Sequence, residues 1–449
     1  MLSPQDNELL TSVGPGTAMG AMMREYWLPA FRSDELPDPD GAPLRLRLLG
    51  ENLIAFRTSS GAVGVMQNAC PHRGASMFFG RNEEDGLRCV YHGWKFDVMG
   101  ACTDMPNEPA ESNFRHKIKA TAYPCVERSG IGWVYMGERS QPPALPDLES
   151  TMLPPGQFTT TIVTALRECN YMQALEGDID TVHSNFLHNG AVTLGEITPG
   201  TADYYRQRTV APRFVVADTA FGTLYGAQSP AEEDTSYWRL ASFLFPFYTM
   251  IPSGMLGVQM MVRAWVPMDD ENTLVWTVSG RPVNEPAPPV SVRSTMRSQQ
   301  APLRVVRQGH GPLPNTSDWL GRWRLGANRA NDYCIDREAQ KIDTYTGIPT
   351  IFLQDQAVTE SMGSVYRRSH EHLGTSDWMI IRTRSRLIRA AQAHRDQGQL
   401  PPGVDEPSIY RARTGWTILP NNVDWLEGTK ALREAFRTHQ AEDLPLQRA

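Results

Sequence analysis

Two cysteines and two histidines between Cys70 and Trp94 constrain this chain more than any other feature. The stretch opens Cys70-Pro71-His72-Arg73-Gly74 and closes Cys89-Val90-Tyr91-His92-Gly93-Trp94. Residues 73–88 separate a Cys-x-His hook from a Cys-x-x-His hook. Thiolates are soft ligands and imidazoles borderline ones, so the four side chains suit zinc or an iron–sulfur cluster.

With their glycines and Trp94, the two hooks resemble the Rieske domain of the ring-hydroxylating oxygenases. In a Rieske [2Fe–2S] centre two histidines replace two cysteines on one iron, which raises the potential. The resemblance implies that Cys70 and Cys89 hold one iron and His72 and His92 the other. Gly74 and Gly93 suit tight loops whose backbone groups approach the inorganic sulfides. A zinc-stabilised binding module is the rival reading of the same ligands.

A chain of 449 residues exceeds one simple core, so two or three domains are expected. The net charge of −7 argues against a nucleic-acid surface. Beyond the hooks, Cys102, Cys125, Cys169 and Cys334 are scattered, and a chain this large needs no disulfides from them. No apolar run approaches the roughly 18 residues of a membrane span. The start, Met1-Leu2-Ser3-Pro4, resembles neither a signal peptide nor a transit peptide. A labile cluster also favours a reducing compartment, so the expected location is the cytoplasm.

Read in order, residues 1–45 are an arm expected to pack on the catalytic domain, with short helices at Asp6–Leu10 and Met19–Tyr26. Short strands at Leu44–Leu49, Leu53–Arg57 and Val63–Met66 open an all-β module placed at 46–145. Proline-rich stretches at Gln141–Pro146 and Leu153–Gly156 mark a boundary. Residues 146–449 are expected to form an α/β catalytic domain, an antiparallel sheet flanked by helices, which makes the whole chain α+β. Strands are expected across 201–280, among them Tyr204–Val210. Pro286–Pro289 reads as a loop, Asp377–His394 as a helix and Thr429–Arg437 as a short tail helix.

The second site lies in Glu168–Asn189, read as helical to Asn185. Glu176, Asp180 and His183 fall at i, i+4 and i+7, one face of a helix, with His188 five residues further. A helix end near Asn185 brings that last histidine into line. Two histidines and a carboxylate are the facial triad of non-haem Fe(II) oxygenases, with positions left open for O2 or water. The spacing Glu-x3-Asp-x2-His-x4-His resembles the mononuclear iron motif of the same oxygenases. The resemblance implies that His183 and His188 are ligands and that Asp180 links this iron to a Rieske histidine of a neighbouring subunit. It makes Glu176 and Asn170 supporting residues near the iron.

The third ligand must come from far downstream, where Asp332, Asp336, Asp343 and Asp355 are all available. The segments Asn331–Arg337, Tyr345–Ile348 and Gln354–Gly363 resemble the phthalate-type catalytic domain, whose Gln-Asp pair selects Asp355. One departure is Arg367-Arg368 where the family often has Asp-Arg. The resemblance further implies one [2Fe–2S] cluster and one Fe(2+) per subunit, O2 as cosubstrate, and a homotrimer or a hexamer of stacked trimers. It implies an NADH-dependent reductase carrying flavin and a ferredoxin-type centre as partner, since no Gly-x-Gly-x-x-Gly follows a strand here. An aromatic carboxylic acid is the implied substrate, to be dihydroxylated or, alternatively, O-demethylated. Arg206, Arg208 and Arg239 are the candidate carboxylate clamps.

Overall fold

The computed structural model describes residues 1–190, 194–284 and 310–437. Its first third is built from short antiparallel strands, as the alternation around Leu44–Met66 requires. Leu44–Leu48, Glu51–Arg57, Val63–Gln67 and Ala122–Tyr123 form one sheet. Arg81–Glu83, Gly86–Arg88, Lys95–Phe96 and Cys102–Asp104 form another. The first hook leaves the strand ending at Gln67, and the second links Gly86–Arg88 to Lys95–Phe96. Ile54, Phe56, Met66, Leu87 and Phe96 make a small core that also encloses both hook thiols.

Strand Trp27–Arg32 pairs with Ile131–Tyr135, which pairs in turn with Cys125–Arg128. Ahead of it lie helices Pro4–Thr11 and Ala18–Arg24, capped by the side chains of Ser3 and Thr17. Both pack against helix Trp378–Gln397, which Gly398 ends at φ +65°.

The catalytic half is organised on an antiparallel sheet of eight strands. Its path runs Phe158–Arg167, Thr273–Pro282, Met260–Pro267, Tyr248–Met250, Thr235–Leu244, Gly222–Pro230 and Arg213–Asp218. Gly415–Pro420 adds to Thr235–Leu244. Helices Tyr171–Ile179 and Trp378–Gln397 pack on this sheet, and helix Ile351–Ser361 packs on Tyr171–Ile179. The combination of all-β module and helix-flanked antiparallel sheet is the α+β architecture read from the sequence. Among the described residues no helix is long and apolar enough to cross a membrane.

Three local expectations change. Residues 202–208 form a helix, Ala202–Arg208, not a strand. The two tyrosines suggest a strand by propensity, but Thr201 caps Tyr204 N–H and Asp203 sits in the first turn. The helix expected to reach Asn185 ends at Ile179. Asp180 is extended, and its Oδ1 accepts from the N–H groups of Val182 and His183 instead. The tail helix is Trp425–Thr429, followed by a tighter turn at Ala431–Arg433. Pro286–Pro289 lies outside the described residues.

A buried ion cluster fastens helix Tyr171–Ile179. Glu176 accepts from Arg368 at 3.1 Å and from Arg384 at 2.6 Å, and Arg384 also pairs with Glu371. Arg368 is fully buried, whereas Arg367, the residue that departs from the family pattern, is exposed. Burial pushes the Glu176 carboxyl up, but the two guanidiniums outweigh it and hold it below the usual range. Its contribution is therefore complete above about pH 4.3, the unfolded value, and is lost as pH falls through the lower folded value. Glu176→Gln strands buried positive charge and should cost about 3–5 kcal/mol in urea unfolding at pH 7. A loss below about 1 kcal/mol, or an unchanged acid limb, counts against this role.

Candidate active site

The hooks fold as two matching turns. Gly74 N–H donates to the Cys70 carbonyl and Gly93 N–H to that of Cys89, each at 2.9 Å. Cys70 N–H reaches the carbonyl of Ala75, and Cys89 N–H that of Trp94, each at 2.8 Å. The glycines stand at φ +74° and +81°, and a Cβ on Gly93 would lie 2.6 Å from Pro106 Cγ. Only glycine suits such a turn without strain.

The two thiols are buried, while His72 and His92 stand half-buried with ring centres 4.4 Å apart. Trp94 stacks on His72 at 4.4 Å and fixes its plane. The Nδ1 atom of His72 is buried without a hydrogen-bond partner, which fits a ligand atom. Burial pushes the Cys70 thiol up to about 11, so a bound metal is what favours its thiolate at neutral pH. Among the described residues, only His183, His188 and Asp355 place three donor atoms within 4.8 Å of one another. The hooks present a thiol pair and an imidazole pair, a spread that suits two irons better than one tetrahedral zinc with bonds of about 2.0–2.3 Å.

The second centre joins two distant segments. His183 opens the short turn His183–Asn185, and Asp355 lies on helix Ile351–Ser361, capped by Thr350. The Nε2 atoms of His183 and His188 are 3.1 Å apart. Asp355 Oδ1 is 3.0 Å from the His188 Nε2 and 3.5 Å from that of His183. His188 Nδ1 lies 2.8 Å from Gln354 Oε1, and Gln354 Nε2 donates to the Ile348 carbonyl at 2.9 Å. An amide oxygen only accepts, so Nδ1 carries the proton and Nε2 keeps its lone pair free for a cation that Asp355 would share. The donor set and geometry fit a divalent iron site with open positions.

Burial and charge divide the three ligand groups. Burial holds His188 below the usual histidine range despite Asp355 beside it. Burial acts the same way on His183, but Asp180 and Asp355 outweigh it and raise its pKa. Burial pushes Asp355 up, yet His188, His183 and Arg167 hold it below the usual carboxylate range. Asp180 also lies low: burial opposes ionisation, and His183 and the backbone N–H groups outweigh it. Asp180 Oδ2 stands 3.7 Å from His183 Nδ1.

The triad opens into a cavity of about 630 Å³, which Asp180, Arg206 and Arg239 also line. Arg239, on strand Thr235–Leu244, gives Nη1 to Ser184 Oγ at 3.1 Å. Arg206 is buried on its helix and gives Nη1 to the Ser184 carbonyl at 2.8 Å. Arg208 lies outside the lining residues and donates to the Ala231 carbonyl at 3.1 Å.

Asn170 and Glu176 do not join the triad. Asn170 caps Met172 N–H and gives Nδ2 to the carbonyls of Thr11 and Asp270, at 2.8 and 2.7 Å. Glu176 is committed to Arg368 and Arg384, and neither residue lines the cavity. Sequence reasoning assigned no role to Ser184 or Gln354. The only signal for Gln354 was its place in the Gln-Asp pair.

Residues 26–124 match the family model described as the Rieske [2Fe-2S] domain, and residues 134–444 match "LigXa C-terminal domain like". The chain is 46% identical over 431 residues to the 3-chlorobenzoate-3,4-dioxygenase oxygenase subunit of Comamonas testosteroni, covering 95% of this chain and 97% of that one. It is 35% identical over 435 residues to the phthalate 4,5-dioxygenase oxygenase subunit of Pseudomonas putida, covering 95% and 94%. It is 40% identical over 417 residues to the 5,5'-dehydrodivanillate O-demethylase oxygenase subunit of Sphingobium sp. (strain NBRC 103272 / SYK-6), covering 92% and 84%. Hooks that suit an iron–sulfur cluster, a His-His-Asp site that suits one iron, and these likenesses agree: the chain belongs to the Rieske ring-hydroxylating oxygenases, close to the phthalate and chlorobenzoate dioxygenase oxygenase subunits.

Proposed function

We propose that this chain is the oxygenase component of a multicomponent system that dihydroxylates an aromatic carboxylic acid. The observation that carries the reading is a facial triad opening into a cavity that also presents Arg239. Cys70, His72, Cys89 and His92 would hold one [2Fe–2S] cluster, and His183, His188 and Asp355 one Fe(2+), in each subunit. When bound, the two centres supply single electrons and O2 activation.

The remaining work falls to side chains. Arg239, held by Ser184, offers its remaining guanidinium N–H groups to a substrate carboxylate. Arg206 places a second positive charge nearby, with one N–H given to the Ser184 carbonyl and another to Asp203. Gln354 keeps His188 in one tautomer. Asp180 sits beside His183 and is the group to meet the half-exposed His92 of another copy. That supports a homotrimer or stacked trimers, in which one subunit's cluster serves the next subunit's iron. An NADH-dependent reductase with flavin and a ferredoxin-type centre supplies the electrons, in the cytoplasm. Likeness to the demethylase subunit supports a second reading on the same scaffold, O-demethylation of a methoxylated aromatic acid.

A single turnover of reduced protein with labelled O2 and a panel of aromatic acids tests the reaction. The expected product is a cis-diol carrying both labelled atoms. Formaldehyde with loss of a methyl group selects the second reading, and no oxidised aromatic acid at all defeats both. Asp180→Asn should keep its iron and sulfide content but slow cluster reoxidation at least about a hundredfold; stopped-flow traces matching the parent would remove Asp180 from the electron path. Arg239→Gln should raise KM about tenfold to a hundredfold with a smaller change in kcat, the pattern of lost ground-state binding. An unchanged KM excludes it as the clamp.

A further inference from the structure

Among the described residues, two buried hydroxyls of the same cavity make no hydrogen bond of good geometry. Tyr225 is fully buried and Thr181 is 5% exposed; both line the cavity, and neither hydroxyl makes a hydrogen bond. Burial raises the Tyr225 pKa, and the Arg239 charge and the neighbouring Thr181 hydroxyl act against it. Buried polar groups in native proteins are rarely left unsatisfied, and such a pair inside a binding cavity calls for a ligand or an ordered water.

The sheet register places them. Tyr225 pairs with Ala241 and Ala227 with Arg239, so strand alternation puts Tyr225 and Arg239 on one face. They are diagonal neighbours across the two strands, roughly 7–8 Å apart. Thr181 approaches from the loop between Asp180 and His183, on the metal side. A ligand held by Arg239 in this cavity therefore lies on the face that also carries Tyr225.

We propose that Tyr225 and Thr181 form a neutral hydrogen-bonding subsite that takes a second oxygen substituent, a hydroxyl or carboxylate, on the ring of the aromatic acid bound by Arg239. The inference rests on the aromatic-acid reading above. The subsite orients the ring, because two fixed points leave it little freedom to turn in the cavity. It favours oxygen-substituted acids over halogenated or unsubstituted ones, since a site built to bond oxygen leaves its donors unpaired with the wrong ligand.

Equilibrium binding to the anaerobic, metal-loaded enzyme tests this with four probes: benzoate, a chlorobenzoate, a hydroxybenzoate and a benzene dicarboxylate. The parent enzyme should bind at least one of the oxygen-substituted acids about tenfold to a hundredfold more tightly than benzoate. Tyr225→Phe and Thr181→Val, which keep shape, should remove most of that preference and change benzoate affinity less than about twofold. Benzoate is thus the control for folding in each variant. A parent enzyme that binds all four alike overturns the subsite alone, as do variants that weaken benzoate as much as the others. A preference that survives in both variants also overturns it and assigns the hydroxyls to ordered water. Binding of none of the four overturns the aromatic-acid reading and the subsite with it.

Discussion

Gln173 gives its Nε2 to the carbonyls of Thr359 and Gly363, at 3.0 and 2.9 Å, and takes the Tyr366 N–H on its Oε1 at 2.7 Å. One buried amide so ties helix Tyr171–Ile179 to the end of helix Ile351–Ser361. Glu360 adds to the joint, accepting Glu168 N–H on one oxygen and the Tyr333 hydroxyl on the other. These bonds matter because the triad has no local origin. His188 and Gln354 are 166 positions apart in the chain, and the ligands meet only if the two segments are held in register. A satisfied polar network is stiff, and this one fixes a geometry that apolar packing alone would leave free to slide.

The arginines around this joint divide by what they touch. Arg368 and Arg384 are spent on carboxylates and serve as fasteners. Arg413 does the same for Glu149, and Arg322 for Glu35. Arg206 meets a carbonyl and the carboxylate of Asp203. Arg239 instead meets a hydroxyl, which leaves its positive charge uncompensated by that contact and facing the cavity. Burial of a charge is costly unless it is paired, so an arginine at the cavity wall held only by a neutral group is suited to an anionic ligand.

Both metal sites were readable because their chemistry is written in short spacings. The hooks carry four candidate ligands and their turn glycines within one stretch, and His183 and His188 fall in another. Asp355 was reachable only through resemblance, because nothing local separates it from Asp332, Asp336 or Asp343; packing makes that choice. The resemblance placed Asn170 and Glu176 near the metal, but their partners Thr11, Asp270, Arg368 and Arg384 are distant in sequence, so their role as ties was hidden. The strand expected at Tyr204–Val210 followed the intrinsic preference of its tyrosines and missed the Thr201 cap. Arg208 was misplaced with it, since a helix turns that side chain toward Ala231. Tyr225 and Thr181 left no trace, because an unpaired hydroxyl is a property of three-dimensional surroundings.

The N-terminal helix Pro4–Thr11 takes part in this joint from outside. Its carbonyls receive Asn170 and the Tyr171 hydroxyl, Leu2 N–H donates to the Arg368 carbonyl, and Asn7 bonds both Arg368 and the Tyr366 carbonyl. The last of these pairs lies 359 positions apart. Synthesis and assembly therefore run in opposite senses here. During synthesis this helix waits for part of its partners until the segment from Tyr366 to Arg368 has been made. The clamp behind the His-His-Asp site is then closed by residues 359 positions apart, so the site is not braced until both segments have been made.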